Sequence, residues 1–159
     1  MLLIEILVLL AVFTAFVWLT TLHGPLGGIH WYPKAAQEKA LALGLVTKER
    51  LVSRARAVRC VLLLIVAAII LGSVFLVNRA VGWSIAFGQI YGMLFVMNWY
   101  DAIVVDYLWV AKTGYWHIPE LGDMPIAKPW SLILKERIMM SLLYIPIAAL
   151  FGCIAFIMS

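Results

Sequence analysis

The sequence predicts an all-α, polytopic integral membrane protein: a four-transmembrane-helix bundle with a short cytoplasmic amphipathic helix between helices 1 and 2. Three observations carry this. Hydrophobic residues make up 65% of the chain and charged residues only 13%, against roughly 45–50% and about 25% in an ordinary soluble domain. The apolar residues fall in blocks of about 20, the length a bilayer requires, rather than in amphipathic stripes. The basic residues cluster beside those blocks, where they govern topology. At 159 residues the chain holds a single domain, residues 1–159.

The first span covers about 2–22. It lacks the positive start and small-residue cleavage site of a signal peptide, and its only early charge is Glu5, so it is expected to stay as an anchor. The stretch HGPLGGIHWYP is rich in Gly and Pro and reads as an ordered turn. Pro33 then suits the first turn of a short helix and Gly44 its end. Ala36, Ala40 and Leu43 share one face of that helix, while Lys34, Glu38 and Lys39 are polar, which predicts a helix lying on the membrane surface or on the protein.

Thr47 is placed to cap the next helix. That helix starts with the basic, water-facing string TKERLVSRARAVR and runs without a break into the second span, about 60–77. NRAVGW is a tight turn, and the third span covers about 83–111. The loop TGYWHIPELGDMPIAKPW contains three prolines and is not regular helix. The last helix begins near Ser131, with a span of about 138–158, and Pro146 inside it predicts a kink.

Orientation follows from the Lys and Arg count. The first and third loops with their flanks hold eleven of the twelve, and Arg79 alone lies on the other side. The positive-inside rule then makes both basic loops cytoplasmic and both termini external, as in a multi-pass protein of the cell (cytoplasmic) membrane. Trp31, Trp116 and Trp130 fit a belt at the cytoplasmic interface and Trp83 fits the outer one. Basic clusters beside apolar spans imply the lipid bilayer and anionic lipid head groups as partners, not nucleic acid. Cys60 and Cys153 sit at depths about 22 Å apart along their helices, too far for a disulfide.

The third helix carries the polar information. With Asn98 at zero and about 100° per residue, Ser84 falls at about 40°, Tyr91 at about 20°, Asp101 at about −60° and Asp106 at about 80°. Ser84, Tyr91, Asn98 and Asp101 thus form one stripe, with Asp106 at its edge and Gln89 pointing away. Such a stripe faces protein or water, because lipid cannot satisfy it. Measured from Ala111, Asp106 is roughly 7 Å deep and Asp101 roughly 15 Å. An aspartate at that depth costs at least about 2.5–3.5 kcal/mol and persists only if protonated, paired or bound. Asp101, Asn98, Asp106 and Tyr91 are therefore the candidate ligand- or ion-binding residues. A structural salt bridge from Arg56 or Arg59 is the leading account of Asp106, and a hydrogen-bond network with Asn98 is the alternative for Asp101. Gly88 and Gly92 form a GxxxG pair, and Ala68 and Gly72 a similar one, suited to helix packing or to an oligomer interface.

His23, His30 and His117 all fall at the cytoplasmic membrane face, with Glu120 and Asp123 near His117. With Arg56 and Arg59 they are candidates for the mouth of a cavity. A His/carboxylate set of this kind can bind zinc, but no HxxH, HExxH or HxxxH spacing supports it. No P-loop, GxSxG or dinucleotide fingerprint is present, and no cofactor is implied. Three readings follow: an ion- or proton-coupled transporter working as a homo-oligomer, with Asp101 binding the ion; a membrane-embedded enzyme acting on a lipid or isoprenoid at the cytoplasmic face through Asp106 and the histidines; and an accessory or structural membrane subunit.

Overall fold

A computed structural model describes residues 1–22, 24–122 and 124–157. The protein is all-α. Four helices among the described residues are long and apolar enough to cross a membrane. The first, α1 (Leu2–Thr20), is followed by a 3-10 segment (Pro25–Trp31) and the short α2 (Lys34–Ala42). Next come α3 (Lys48–Leu71), which ends in a π-helical turn (Gly72–Val77), and α4 (Trp83–Tyr100), which continues as a π-helix over Asp101–Val110. Two single 3-10 turns (Gly114–Trp116 and Pro119–Leu121) precede α5 (Trp130–Ile157), which remains helical through Pro146.

Local signals in the sequence set the element ends. Thr47 Oγ1 accepts the Arg50 amide at 3.3 Å and starts α3. Gly44, with φ +69°, closes α2: its amide bonds Leu41 O at 3.0 Å and that of Leu45 bonds Ala40 O at 3.0 Å. This is the paired αL ending that glycine allows without strain. Ala36 and Ala40 are buried as the α2 pattern predicts, whereas Leu43, the residue just past the last turn, is exposed.

Two apolar layers stack along the bundle. The layer at the end away from the basic loops joins Leu9, Val66, Ile70, Val74, Ile90 and Met93. The layer at the basic end joins Phe13, Val17, Ile29, Tyr32, Val105 and Trp116. Helices α4 and α5 pack along each other most extensively. Outward residues such as Leu63, Leu76, Leu142 and Leu150 are exposed, as on a bundle whose solvent is lipid.

The two basic loops are tied together. Tyr32 OH donates to Trp116 O at 2.6 Å, and Lys39 Nζ donates to Leu121 O at 2.8 Å. Burial pushes the Tyr32 phenol above its ordinary pKa, so it stays a neutral donor. The 3-10 segment lies so close to its neighbours that a Cβ on Gly28 would stand 2.6 Å from Thr21 Cγ2 and 3.2 Å from Trp116 Cζ3. Only glycine fits there. This packing roofs the space beside the polar end of α4.

Candidate functional site: an Asp–Arg–Asp cluster on a cavity wall

Asp101 and Asp106 are five residues apart, so a regular α-helix would set them about 140° apart around its axis. The chain does not continue as a regular α-helix. From Asp101 it adopts i→i+5 bonding, as in the Ala111 amide to Asp106 O bond of 3.1 Å. Residues five apart then lie roughly one turn apart on the same face. The two carboxylates converge, and both meet one nitrogen.

That nitrogen belongs to Arg137 of α5. Its Nη2 lies 2.6 Å from Asp101 Oδ2 and 2.7 Å from Asp106 Oδ2. Asn98 holds the arginine from below. Its Oδ1 accepts from Arg137 Nη1 at 3.3 Å, and its Nδ2 donates to Arg137 O at 2.9 Å and Ser141 Oγ at 3.1 Å. Ser141 Oγ in turn donates to Arg137 O at 2.9 Å. Asn98 is 2% exposed and uses its oxygen and both amide hydrogens in this network. The arginine is therefore fixed before it meets either acid.

Two carboxylates share one guanidinium, so the ionised cluster carries one negative charge in excess. Lys128 lines the same cavity and pairs with Glu136 at 2.6 Å, so the five charged groups together still carry one negative charge in excess. The cluster forms one wall of a cavity of about 260 Å³. Trp31, Tyr32 and Trp116 supply aromatic walls, and Phe13, Val17 and Val105 line the apolar side.

Arg137 is the residue that sequence reasoning missed. Asp106 pairs with it and not with Arg56 or Arg59, which are both exposed on α3. The physical reason is packing: α5, not α3, lies along α4. Asp101 likewise meets this cation rather than hydrogen-bonding Asn98. A signal existed. Arg137 lies seven residues into a helix that begins at Trp130, roughly 10 Å along its axis, and two intramembrane acids call for a basic partner on a neighbouring span.

The other nominated residues lie elsewhere. Tyr91 belongs to an aromatic ladder on α4, with Trp83, Phe87, Phe95 and Trp99, whose successive ring centroids are 4.8 to 6.1 Å apart. His117 is exposed, and His23 lies outside the described residues. His30 is 6% exposed, and neither ring nitrogen has a hydrogen-bond partner. Burial first, then the charges of Arg54 and Arg59, push its pKa down to about 4, so it is neutral at pH 7. Among the described residues no three His, Cys, Asp or Glu side chains are grouped to hold a metal ion. A second polar cluster lies at the opposite end, where Asn78 Nδ2 donates to Glu5 Oε2 at 2.7 Å and Gln89 Oε1 at 3.1 Å.

Comparison of the chain with protein-family models, curated proteins and solved structures finds no match to any of them.

Proposed function

We propose that the chain is an ion- or proton-coupled membrane transporter, working as a homo-oligomer, with Asp101, Asp106 and Arg137 as its coupling site. One observation carries the reading: a single guanidinium is shared by two carboxylates on the wall of a cavity. An excess charge partly shielded from water is costly. One proton or one monovalent cation removes the excess, and its release restores it. A site with these two charge states, within a span, is what coupling requires.

The same reading takes the basic loops as cytoplasmic, so that the cavity lies toward the cytoplasmic face of the cell membrane, with both termini outside. The exposed basic start of α3, with Arg50, Arg54, Arg56 and Arg59, suits anionic lipid head groups. Single cysteines replacing Leu45 and Gly122 in a Cys60→Ser/Cys153→Ser background should resist an impermeant thiol reagent in intact cells. Ready labelling of both reverses the orientation. The lipid-enzyme alternative has less support, because His30 does not line the cavity and His117 is exposed.

The coupling site is tested by charge displacement in proteoliposomes adsorbed on a solid support. Jumps of pH or of sodium concentration should produce a transient current in the parent protein. Asp101→Asn and Asp106→Asn, checked for folding by size exclusion, should lose it, while Gln89→Leu keeps it. Currents of equal size in folded variants of both acids remove the coupling role and leave the cluster a packing device.

A further inference from the structure

The winding of α4 is the least ordinary feature of the backbone. A π-helix is rare and mostly confined to single turns inside α-helices, as in the six residues Gly72–Val77 that end α3. On α4 it runs for ten residues, Asp101–Val110. We infer that this winding is a charge-held switch: when Asp106 takes up a proton, the segment rewinds toward α-helix and turns Trp109 away from Trp116, which opens the cavity toward the basic loops. The switch rests on the coupling-site reading above and names the movement that the site drives.

Three observations converge on it. The first is what the ion pairs demand. Arg137 Nη2 lies 2.6 Å from Asp101 Oδ2 and 2.7 Å from Asp106 Oδ2, and in a regular α-helix those acids would stand about 140° apart. The wider winding lets both reach one nitrogen, so the ion pair to Asp106 favours π over α. Without that charge the ordinary α-helical bonding is favoured instead. A proton on Asp106 leaves Asp101 and Arg137 as a neutral pair, so the excess charge and the hold on the winding are lost in one step.

The second is where the helix is anchored. Asn98, just before the π segment, donates to Arg137 O at 2.9 Å and Ser141 Oγ at 3.1 Å. That part of α4 is fixed to α5, and beyond Asp101 the π segment is tied to α5 through Asp106. The third is what the segment carries. Val105 and Val110 line the cavity. The Trp109 ring meets Trp116 edge-on with centroids 5.4 Å apart and Tyr115 at 5.7 Å. Trp116 is held to the first loop, because its carbonyl accepts from Tyr32 OH at 2.6 Å. Rewinding α4 therefore moves Trp109 and leaves Trp116 in place. The charged and titratable groups around Asp106 are Asp101 on its own helix, Arg137 on α5 with Tyr144 close to it, Lys128 paired with Glu136, and Tyr32 of the first loop. From α1 and α3 the cavity receives Phe13, Val17 and Leu62, which carry no charge.

Distances between spin labels test the switch, in the full chain in lipid nanodiscs and a Cys60→Ser/Cys153→Ser background. Leu108→Cys, exposed on the π segment, is paired in turn with Leu142→Cys on α5 and Leu63→Cys on α3. Val96→Cys, exposed on the α-helical part of α4, is paired with Leu142→Cys as the control. A turn of about 100° at a side-chain radius of about 5 Å displaces a label by roughly 8 Å, so at least one Leu108 distance should change by about 4 Å or more between pH 8 and pH 5, while the Val96 distance holds. Asp106→Asn should show the pH 5 distances already at pH 8. If that variant does not fold, the two pH values of the parent still decide. Distances that are the same in the parent at both pH values and in Asp106→Asn overturn the switch; charge displacement that survives in that case leaves the coupling site standing, and its absence removes both. A shift in Asp106→Asn alone overturns the proton as the trigger. An equal change at Val96 also overturns the proposal, since the whole helix then tilts without rewinding.

Discussion

Replacing Arg137 by methionine isolates the energetics of the cluster. The substitution keeps an unbranched apolar stem in α5 and removes the guanidinium that Asp101 and Asp106 share. Removing one partner of a fully buried ion pair costs about 3–5 kcal/mol, because the remaining charge is left uncompensated. Here the side chains of Arg137, Asp101 and Asp106 are 18%, 22% and 31% exposed, so water relieves part of that cost. Asn98 Oδ1 also loses the donor that meets it at 3.3 Å, a further contribution of about 1 kcal/mol. The expected loss is roughly 2–4 kcal/mol. The triple variant Arg137→Met/Asp101→Asn/Asp106→Asn removes all three charges together and should return to within about 1 kcal/mol of the parent, since an ion cluster replaced as a unit is close to neutral in stability. Reversible unfolding in mixed micelles, followed by circular dichroism, measures both. A single variant that loses less than about 0.5 kcal/mol, or a triple variant no better than the single, refutes the argument that charge compensation holds this site together.

Three further outcomes are expected. His30 takes its proton near its usual 6.5 in the unfolded chain but at about 4 in the fold, so between these values the unfolded state binds more protons. Stability should therefore fall as pH drops through that window, by up to roughly 3 kcal/mol, and His30→Phe should flatten the slope in unfolding measured from pH 7 to pH 4. Gly28→Ala puts a Cβ 2.6 Å from Thr21 Cγ2 and should cost about 1–3 kcal/mol by overpacking, read as a lowered Tm. Gly88 and Gly92 have no atom within 4 Å of a would-be Cβ, so Gly88→Leu/Gly92→Leu should leave the isolated fold intact; a smaller particle by light scattering in mild detergent then marks that face as the oligomer contact, and an unchanged particle rules it out.

The bundle was legible because its signals are local or periodic. Four apolar blocks, Thr47 before a helix, Gly44 after one and the Ala36–Ala40 face each announce an element from within a few residues. The candidate site was half legible. Two acids and an asparagine on one span stand out against their apolar surroundings, so Asp101, Asp106 and Asn98 were found. Their partner was not, because Arg137 follows Lys135 at the start of a span and reads as one more interfacial charge. The α-helical wheel also misplaced Asp106, setting it 140° from Asp101. A π-helix has no distinctive composition, so the winding that brings the two acids together left no mark in the sequence. Tyr91 stands apart from the cluster for a different reason. Its spacing fits the polar stripe, but it fits equally the i, i+4 ladder of Trp83, Phe87, Phe95 and Trp99, where the ring and not the hydroxyl makes the contacts.

The location of the counter-charge bears on how the protein is made. Helix α4 with its π-helical end is the least apolar of the four spans, and it emerges from the ribosome with two acids and no cation of its own between Trp83 and Val110. An acid near the middle of a span, as Asp101 is, opposes partitioning into lipid by about 2.5–3.5 kcal/mol. The compensating arginine arrives 31 residues after Asp106, at the start of the final helix. The charge balance therefore predicts that α4 and α5 enter the membrane together as a hairpin, the fourth span supplying the charge that the third lacks. A chain stopped before Arg137 leaves both acids of α4 without the cation that they share in the complete bundle.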